Sequence, residues 1–292
     1  MDVDFSDYAP SEPLEPCARV AEVEPGSPAE AAGIRPGDVI EYVNGAVLDD
    51  QITWRWEADG FSCELELEDG RVVELEREPG QDWGVVFEQA VFDGVRTCVN
   101  ACSFCFLRML APDERASLYV RDDDYRLSFL QGNFVTLTNL TDDDLERIVE
   151  LRLEPMNVSL HAVSPEVRAK LIGRRAPRGI ECLERLCEEG IEVHAQIVLC
   201  PGENDGDELA KTLAWVEERP NISSLAIVPM GYTRHLAEIC SALCPATFHV
   251  ESEDELEAES FRGASRIGIT AGASTPAEQI EALRDRLAEL CS

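Results

Sequence analysis

Lysine is nearly absent from this chain. Of 292 residues only Lys170 and Lys211 are lysines, and 25 basic side chains stand against 58 acidic ones, a net charge of −33. A surface so short of cations cannot neutralise a phosphate backbone, which excludes DNA and RNA as expected partners. The excess of acid reads as a solubility feature. Long apolar runs are missing too: no stretch approaches the roughly 18 residues needed to cross a bilayer, so no membrane partner is expected. The opening residues Met1-Asp-Val-Asp-Phe-Ser-Asp7 are acidic, with neither the basic region nor the apolar stretch of a signal peptide, so the expected location is cytoplasmic. A second C-x2-C pair, the usual partner of a first in a zinc site, is absent beside Cys102-Ser-Phe-Cys105.

Cysteine itself is plentiful, with 11 in the chain. A reducing compartment disfavours disulfides, so clustered cysteines are read first as metal ligands. Only Cys98, Cys102 and Cys105 cluster tightly, as C-x3-C-x2-C. Cys182/Cys187 and Cys240/Cys244 lie at helix-like spacings near leucines and read as small buried hydrophobes. Three thiolates on one short loop can hold an iron–sulfur cube and leave its fourth iron open to a chelating molecule. Phe104 and Phe106 flank the last cysteine and could shield such a cluster. A zinc site completed by a distant residue, or three unligated thiols, are the alternatives.

The rest of the chain reads as an acidic tail (1–16), a small β domain (17–80), an alternating β/α region (81–232) and an α/β segment (233–292). In the β domain, Ser27 caps a short helix with Pro28 at its first position and Gly33 at its end. Pro36-Gly37 and Asn44-Gly45 mark turns, and strands Cys63 to Leu67 and Arg71 to Glu76 flank Asp69-Gly70. A further strand is expected over Trp83 to Phe87. Beyond the cysteines, strands are expected at 134–138, 157–161, 193–199 and 225–228. Helices are expected at 142–153 with Thr141 as cap, and at 165–172, 179–189 and 207–218. That alternation predicts a parallel β/α sheet, open or barrel-like.

Residues 18–78 resemble a bacterial-type PDZ domain through Gly26-Ser-Pro-Ala29, Ala32-Gly33-Ile34 and Pro36-Gly37-Asp38-Val39-Ile40 up to Asn44-Gly45. The resemblance implies a peptide or chain terminus as partner, added to a sheet edge; an internal lid is the other reading. From Cys98 to Arg234 the chain resembles a PDZ-bearing radical-SAM-like family of unknown function. The carrying segments are Cys102-Ser-Phe-Cys-Phe106, Asp122-Asp-Asp124, Arg126 through Asn139, Asn157-Val-Ser-Leu-His161 and Gln196 through Gly206. This resemblance implies a partial parallel β/α barrel, a 4Fe-4S cluster on Cys98, Cys102 and Cys105, and S-adenosylmethionine (SAM) chelating the open iron and cleaved by an electron from an unknown donor. Asn139, His161 and Gln196, at or near strand ends, are the candidate cofactor contacts. The run Asp122-Asp123-Asp124 could bind a cation, but a charge run reads first as a solvated loop, and Pro201 to Gly206 reads as a positioning turn.

The resemblance changes near residue 232. Thr233 to Cys240, His249 to Leu256 and Ile267-Gly-Ile-Thr-Ala-Gly-Ala-Ser-Thr-Pro276 are similar to the last domain of the 4-hydroxy-3-methylbut-2-enyl diphosphate reductase family. The likeness implies a diphosphate contact at Ser274, beside the start of a helix Pro276 to Leu290. That family's Ser-x-Asn motif is missing, with Tyr232 in place of the asparagine. The chain thus reads as a join of two parents. Three functions are in contention: a radical-SAM-type iron–sulfur enzyme, an oxidoreductase or transferase; a diphosphate-reductase-like protein of isoprenoid biosynthesis; and a non-catalytic PDZ adaptor.

Overall fold

The computed structural model describes residues 14–105, 107, 119–229, 248, 250, 256, 261, 267, 269 and 277–290. It is a mixed α/β protein with one antiparallel sheet and one parallel sheet. The chain divides into two compact units, Met1–Ile227 and Val228–Ser292.

The antiparallel sheet is built from β1 (Ala18–Val23), β2 (Val39–Val43), β3 (Ala46–Val47), β4 (Ser62–Leu67), β5 (Val72–Glu76) and β6 (Val85–Phe87). Their order is β5-β4-β2-β1-β6, with β3 beside β2. Alternation drives this arrangement: Ala18 and Val20 of β1, and Cys63, Leu65 and Leu67 of β4, turn inward to a core closed by Leu48, Trp83 and Phe92. Helix α1 (Pro28–Ala31) starts where expected, with the Ser27 hydroxyl accepting from the Glu30 N–H at 3.2 Å. Helix α2 (Gln51–Glu57) is capped by Asp50, whose carboxylate accepts the N–H groups of Ile52 and Thr53. The last expected strand of this region is shorter than its signal, beginning at Val85 rather than Trp83.

The parallel sheet follows. Its strands are β7 (Met156–Ser159), β8 (Val193–Leu199) and β9 (Ile222–Pro229), in the order β7-β8-β9. Helices α3 (Tyr125–Gln131), α4 (Asp142–Glu150), α5 (Pro165–Ile172), α6 (Ala176–Glu188) and α7 (Gly206–Glu217) accompany them. In α4 the hydroxyl of Thr141 takes the Asp144 N–H while Asp144 answers the Thr141 N–H, a reciprocal cap. Met156, Val158, Val193 and Ala195 meet Ile148, Leu153, Leu183 and Leu186 in one core. Cys182 is fully buried in that core and Cys187 packs against it, as their spacing suggested. Burying a Leu or Ile side chain there contributes about 1.5–3 kcal/mol. Ile52 of α2 belongs to this second core, so α2 ties the two sheets together.

Two expectations need correction. Residues 134–138 form no regular strand; a single parallel bridge, Val135 to Val158, joins them to β7. Leu137, the next residue that could donate to β7, lies in the left-handed region (φ 61°), and Arg168 holds the Ser159 carbonyl, so the ladder does not continue. No barrel is formed among the described residues; the parallel sheet has three strands there. Among those residues no helix is long and apolar enough to cross a membrane. In the second unit helix α8 (Ala277–Leu290) occupies most of the predicted 276–290 span.

Candidate functional site

The cysteine loop, residues 98–105, is held from both sides by backbone hydrogen bonds. On one side the Cys98 N–H donates to the Arg121 carbonyl at 2.6 Å, and the Asp123 N–H to the Arg96 carbonyl at 3.0 Å. On the other, the C-terminal turn of α5 offers its unused carbonyls: Ala101 donates to Ile172 at 2.9 Å and Ser103 to Leu171 at 3.0 Å. Gly173 ends α5 with φ 113°, a left-handed backbone conformation that favours glycine.

Asn100 organises the inside of the loop. Its Nδ2 lies 2.8 Å from the hydroxyls of both Thr136 and Thr138 and 3.5 Å from the Cys98 sulfur. Its carbonyl accepts from Arg121 at 2.6 Å. Asp123 accepts the Thr136 N–H at 2.6 Å and the Thr136 hydroxyl. Burial pushes the Asp123 carboxyl up to about 6, against the pull of those hydrogen bonds.

The thiols of Cys98 and Cys105 lie close enough to act on Cys102. Burial, then the charge of Asp123, pushes Cys98 up to about 11. Burial pushes Cys102 well above the usual thiol range, and the neighbouring Cys98 and Cys105 add to it. Among the described residues, however, no three His, Cys, Asp or Glu side chains are gathered tightly enough to hold a metal ion. The donor set nevertheless fits an iron–sulfur cluster: three soft sulfur donors lie on one loop, with Cys98 and Cys105 close enough to act on Cys102.

The other expected contacts fall around this loop. Asn139 donates both hydrogens of its amide, to the Thr97 carbonyl at 3.3 Å and the Asp123 carbonyl at 3.0 Å. His161 is buried against the ring of Phe104, with centroids 4.7 Å apart. Its Nδ1 accepts the Val198 N–H at 3.2 Å, and burial followed by the charge of Arg168 lowers its pKa to about 3, so it stays neutral with the proton on Nε2. Asn204 locks the same corner by donating to the carbonyls of His161 and Val198. Pro201 to Gly206 is therefore a positioning turn, as read. Gln196 carries the backbone carbonyl that receives the Leu160 and His161 N–H groups, while its half-buried amide makes no hydrogen bond among the described residues. Asn139 and His161 thus both join the cysteine loop, one through Thr97 and one through Phe104. Ser274 and Phe106 lie outside the described residues.

The acidic run at 122–124 is a correction. It is not a solvated loop: Asp122 holds Asn133, Asp123 holds Thr136, and Asp124 caps α3 and pairs with Arg126. Sequence reasoning also passed over Asn100, Thr136 and Thr138. Position alone could have singled out Asn100, which lies between two of the three cysteines.

Comparison with known proteins places three regions. The model of the Radical SAM-like domain matches residues 77–225, that of the LytB protein residues 231–288, and that of the PDZ domain residues 19–55. Curated relatives carry the name 4-hydroxy-3-methylbut-2-enyl diphosphate reductase. That of Aquifex aeolicus is 38% identical over 103 residues, 34% of this chain and 34% of the relative. That of Geobacter sulfurreducens is 49% identical over 57 residues, 20% of each. That of Pelobacter propionicus is 34% identical over 113 residues, 38% of this chain and 37% of the relative. The chain thus spans between a fifth and just over a third of these relatives' length. A match of 113 residues exceeds the 60 residues after Tyr232, so the likeness to the reductases reaches upstream of the expected junction.

Proposed function

Because the chain belongs to the family of the Radical SAM-like domain, we propose that it is a radical-SAM-type iron–sulfur enzyme, an oxidoreductase or transferase holding a 4Fe-4S cluster on Cys98, Cys102 and Cys105. The observation that carries this is the loop itself: three thiols within eight residues, pinned between residues 121–123 and the end of α5. When bound, such a cluster supplies one-electron reduction at an iron open to a chelating SAM.

The chain's own groups then have these roles. Asn100 directs an amide toward the Cys98 sulfur. Asn139 has spent both amide hydrogens on backbone carbonyls, which leaves its Oδ1 to accept from a cationic amine such as that of SAM. Neutral His161 keeps an Nε2–H to donate, and Phe104 packs on its ring. Gln196 has an uncommitted amide one strand away. Anaerobic reconstitution with iron and sulfide tests the proposal: close to four irons per chain with charge-transfer absorption is expected, and zinc uptake without iron would contradict it.

The PDZ-like sheet is proposed as a fixed support rather than a free peptide-binding adaptor. What favours this is the buried contact between its Asp50 and Arg147 of the parallel half. The C-terminal likeness to diphosphate reductases supports a second, lesser role for residues 233–292 in holding a diphosphate at Ser274.

A further inference from the structure

Asn100 is buried inside the cysteine loop, and Thr136, Thr138 and Asp123 are buried beside it. Counting hydrogens fixes which way its amide faces. The Asp123 carboxylate takes the Thr136 N–H at 2.6 Å on one oxygen and the Thr136 hydroxyl at 2.5 Å on the other. A hydroxyl has a single hydrogen, so with that hydrogen committed to Asp123 the Thr136 oxygen can only accept. The Asn100 atom 2.8 Å from that oxygen is therefore the amide nitrogen, and the amide oxygen is left to accept the Thr138 hydroxyl at 3.1 Å. The same nitrogen lies 2.8 Å from the Thr138 hydroxyl and 3.5 Å from the Cys98 sulfur. The backbone is fixed as well. Arg121 donates to the Asn100 carbonyl at 2.6 Å, and Ala101, next in the chain, donates to Ile172 at the end of α5. Asn100 is thus held through both its main chain and its side chain.

We infer that Asp123, Thr136 and Asn100 form a relay of hydrogen bonds that aims an amide N–H at the Cys98 sulfur, making Asn100 a positioning residue that sets the reduction potential of a cluster bound there. One amide hydrogen serves the threonine hydroxyls and the other serves the sulfur. An N–H donated to a ligand sulfur draws electron density from it and so favours the more negative, reduced cluster; hydrogen bonds to the sulfurs are among the determinants of potential. Burial keeps water from competing for the same sulfur. Thr136 acts through Asn100. Without its hydroxyl the amide loses the acceptor that decides its orientation, and its oxygen becomes free to turn toward the sulfur instead. Serine at position 136 would keep that hydroxyl, whereas valine would keep the shape and lose it.

The cluster part of this inference rests on the proposed function, while the relay stands on the distances alone, so the test has two arms. In the first, wild type, Asn100→Ala, Thr136→Val and Thr136→Ser are reconstituted anaerobically with iron and sulfide, assayed for iron, and titrated with dithionite under EPR. The midpoint potential is expected to fall in Asn100→Ala and Thr136→Val at unchanged iron content, and to stay near wild type in Thr136→Ser. In the second arm the side-chain amide of Asn100 is followed by NMR in the cluster-free proteins. Its hydrogens should exchange with solvent about threefold or more faster in Thr136→Val than in wild type, the loss of roughly one hydrogen bond, with Thr136→Ser unchanged. A wild-type chain that takes up no iron would end the cluster reading and leave the exchange rates to decide the relay. Unchanged potential in Asn100→Ala, equal potentials in Thr136→Val and Thr136→Ser, or exchange indifferent to Thr136 would overturn the inference. If Asn100→Ala alone fails to fold or to load iron, the two Thr136 variants decide it. Loss of iron from both Asn100→Ala and Thr136→Val would also overturn it, assigning these residues to holding the loop's shape.

Discussion

Arg147 donates both terminal nitrogens to the fully buried carboxylate of Asp50, at 2.7 and 3.0 Å, across 97 positions of the chain. Burial alone would raise the Asp50 carboxyl, but the hydrogen bonds and charge of Arg147, with the Thr53 N–H and Arg126, hold it below the usual range. One residue therefore caps α2 in the antiparallel half and pairs with α4 in the parallel half. Arg147→Met strands that carboxylate, with Arg126 still 3.7 Å away to soften the loss. A destabilisation of about 3 kcal/mol is expected by urea unfolding. A change under about 0.5 kcal/mol, the usual size for an ordinary surface substitution, would show that the two halves do not depend on this pair.

His161 gives the fold a pH dependence. Its folded pKa is depressed from 6.5 to about 3, so the neutral ring's contribution is complete above the unfolded value and is lost as pH falls toward the folded one. Between pH 7.5 and 5.5 this one group should remove about 1.4 kcal/mol of stability. Asn tolerates the positive φ of 61° found here, so His161→Asn should fold and show a flatter stability curve in that window. Equal slopes in both proteins would place the ring in water.

Asn100 is expected to matter more than an ordinary loop residue. Asn100→Ala leaves the buried hydroxyls of Thr136 and Thr138 short of a partner and frees the Cys98 sulfur from its amide. A loss of about 1–3 kcal/mol is expected in thermal or urea unfolding. Wild-type stability would mean that the two threonines satisfy each other.

How far the sequence could be read follows from how each residue solves its problem. Helix α4 was legible because cap, acids in the first turn and apolar period all point one way, and β8 by its alternation; α6, with no side-chain cap and no acid in its first turn, was read from Gly179 although it begins at Ala176. Helix α3 was not. Tyr125, Arg126, Leu127 and Ser128 are all buried in succession, so the helix shows no amphipathic face. The strand expected at 134–138 failed because Leu137 turns into the left-handed region and Arg168, remote in sequence, holds the Ser159 carbonyl that the next ladder bond would need. In the site, the three cysteines announce themselves by spacing, whereas Arg168 and Asp123 look like surface charges until the fold buries them.

The charge balance of 25 bases to 58 acids carries its own expectation. Repulsion from a phosphate backbone should prevent duplex DNA or RNA from binding near physiological salt, as read by fluorescence anisotropy. Salt-sensitive binding at about micromolar concentration would contradict it.

The central claim is that Cys98, Cys102 and Cys105 hold a cluster that SAM can reach. Low-temperature EPR of the dithionite-reduced, anaerobically reconstituted protein, recorded with and without SAM, tests it most directly. A 4Fe-4S signal that changes shape on adding SAM is expected in wild type and in Cys182→Ala, whose thiol is buried in the core. The signal should vanish in each of Cys98→Ala, Cys102→Ala and Cys105→Ala. Equal signals in all the variants, or a wild-type cluster indifferent to SAM, would contradict the account.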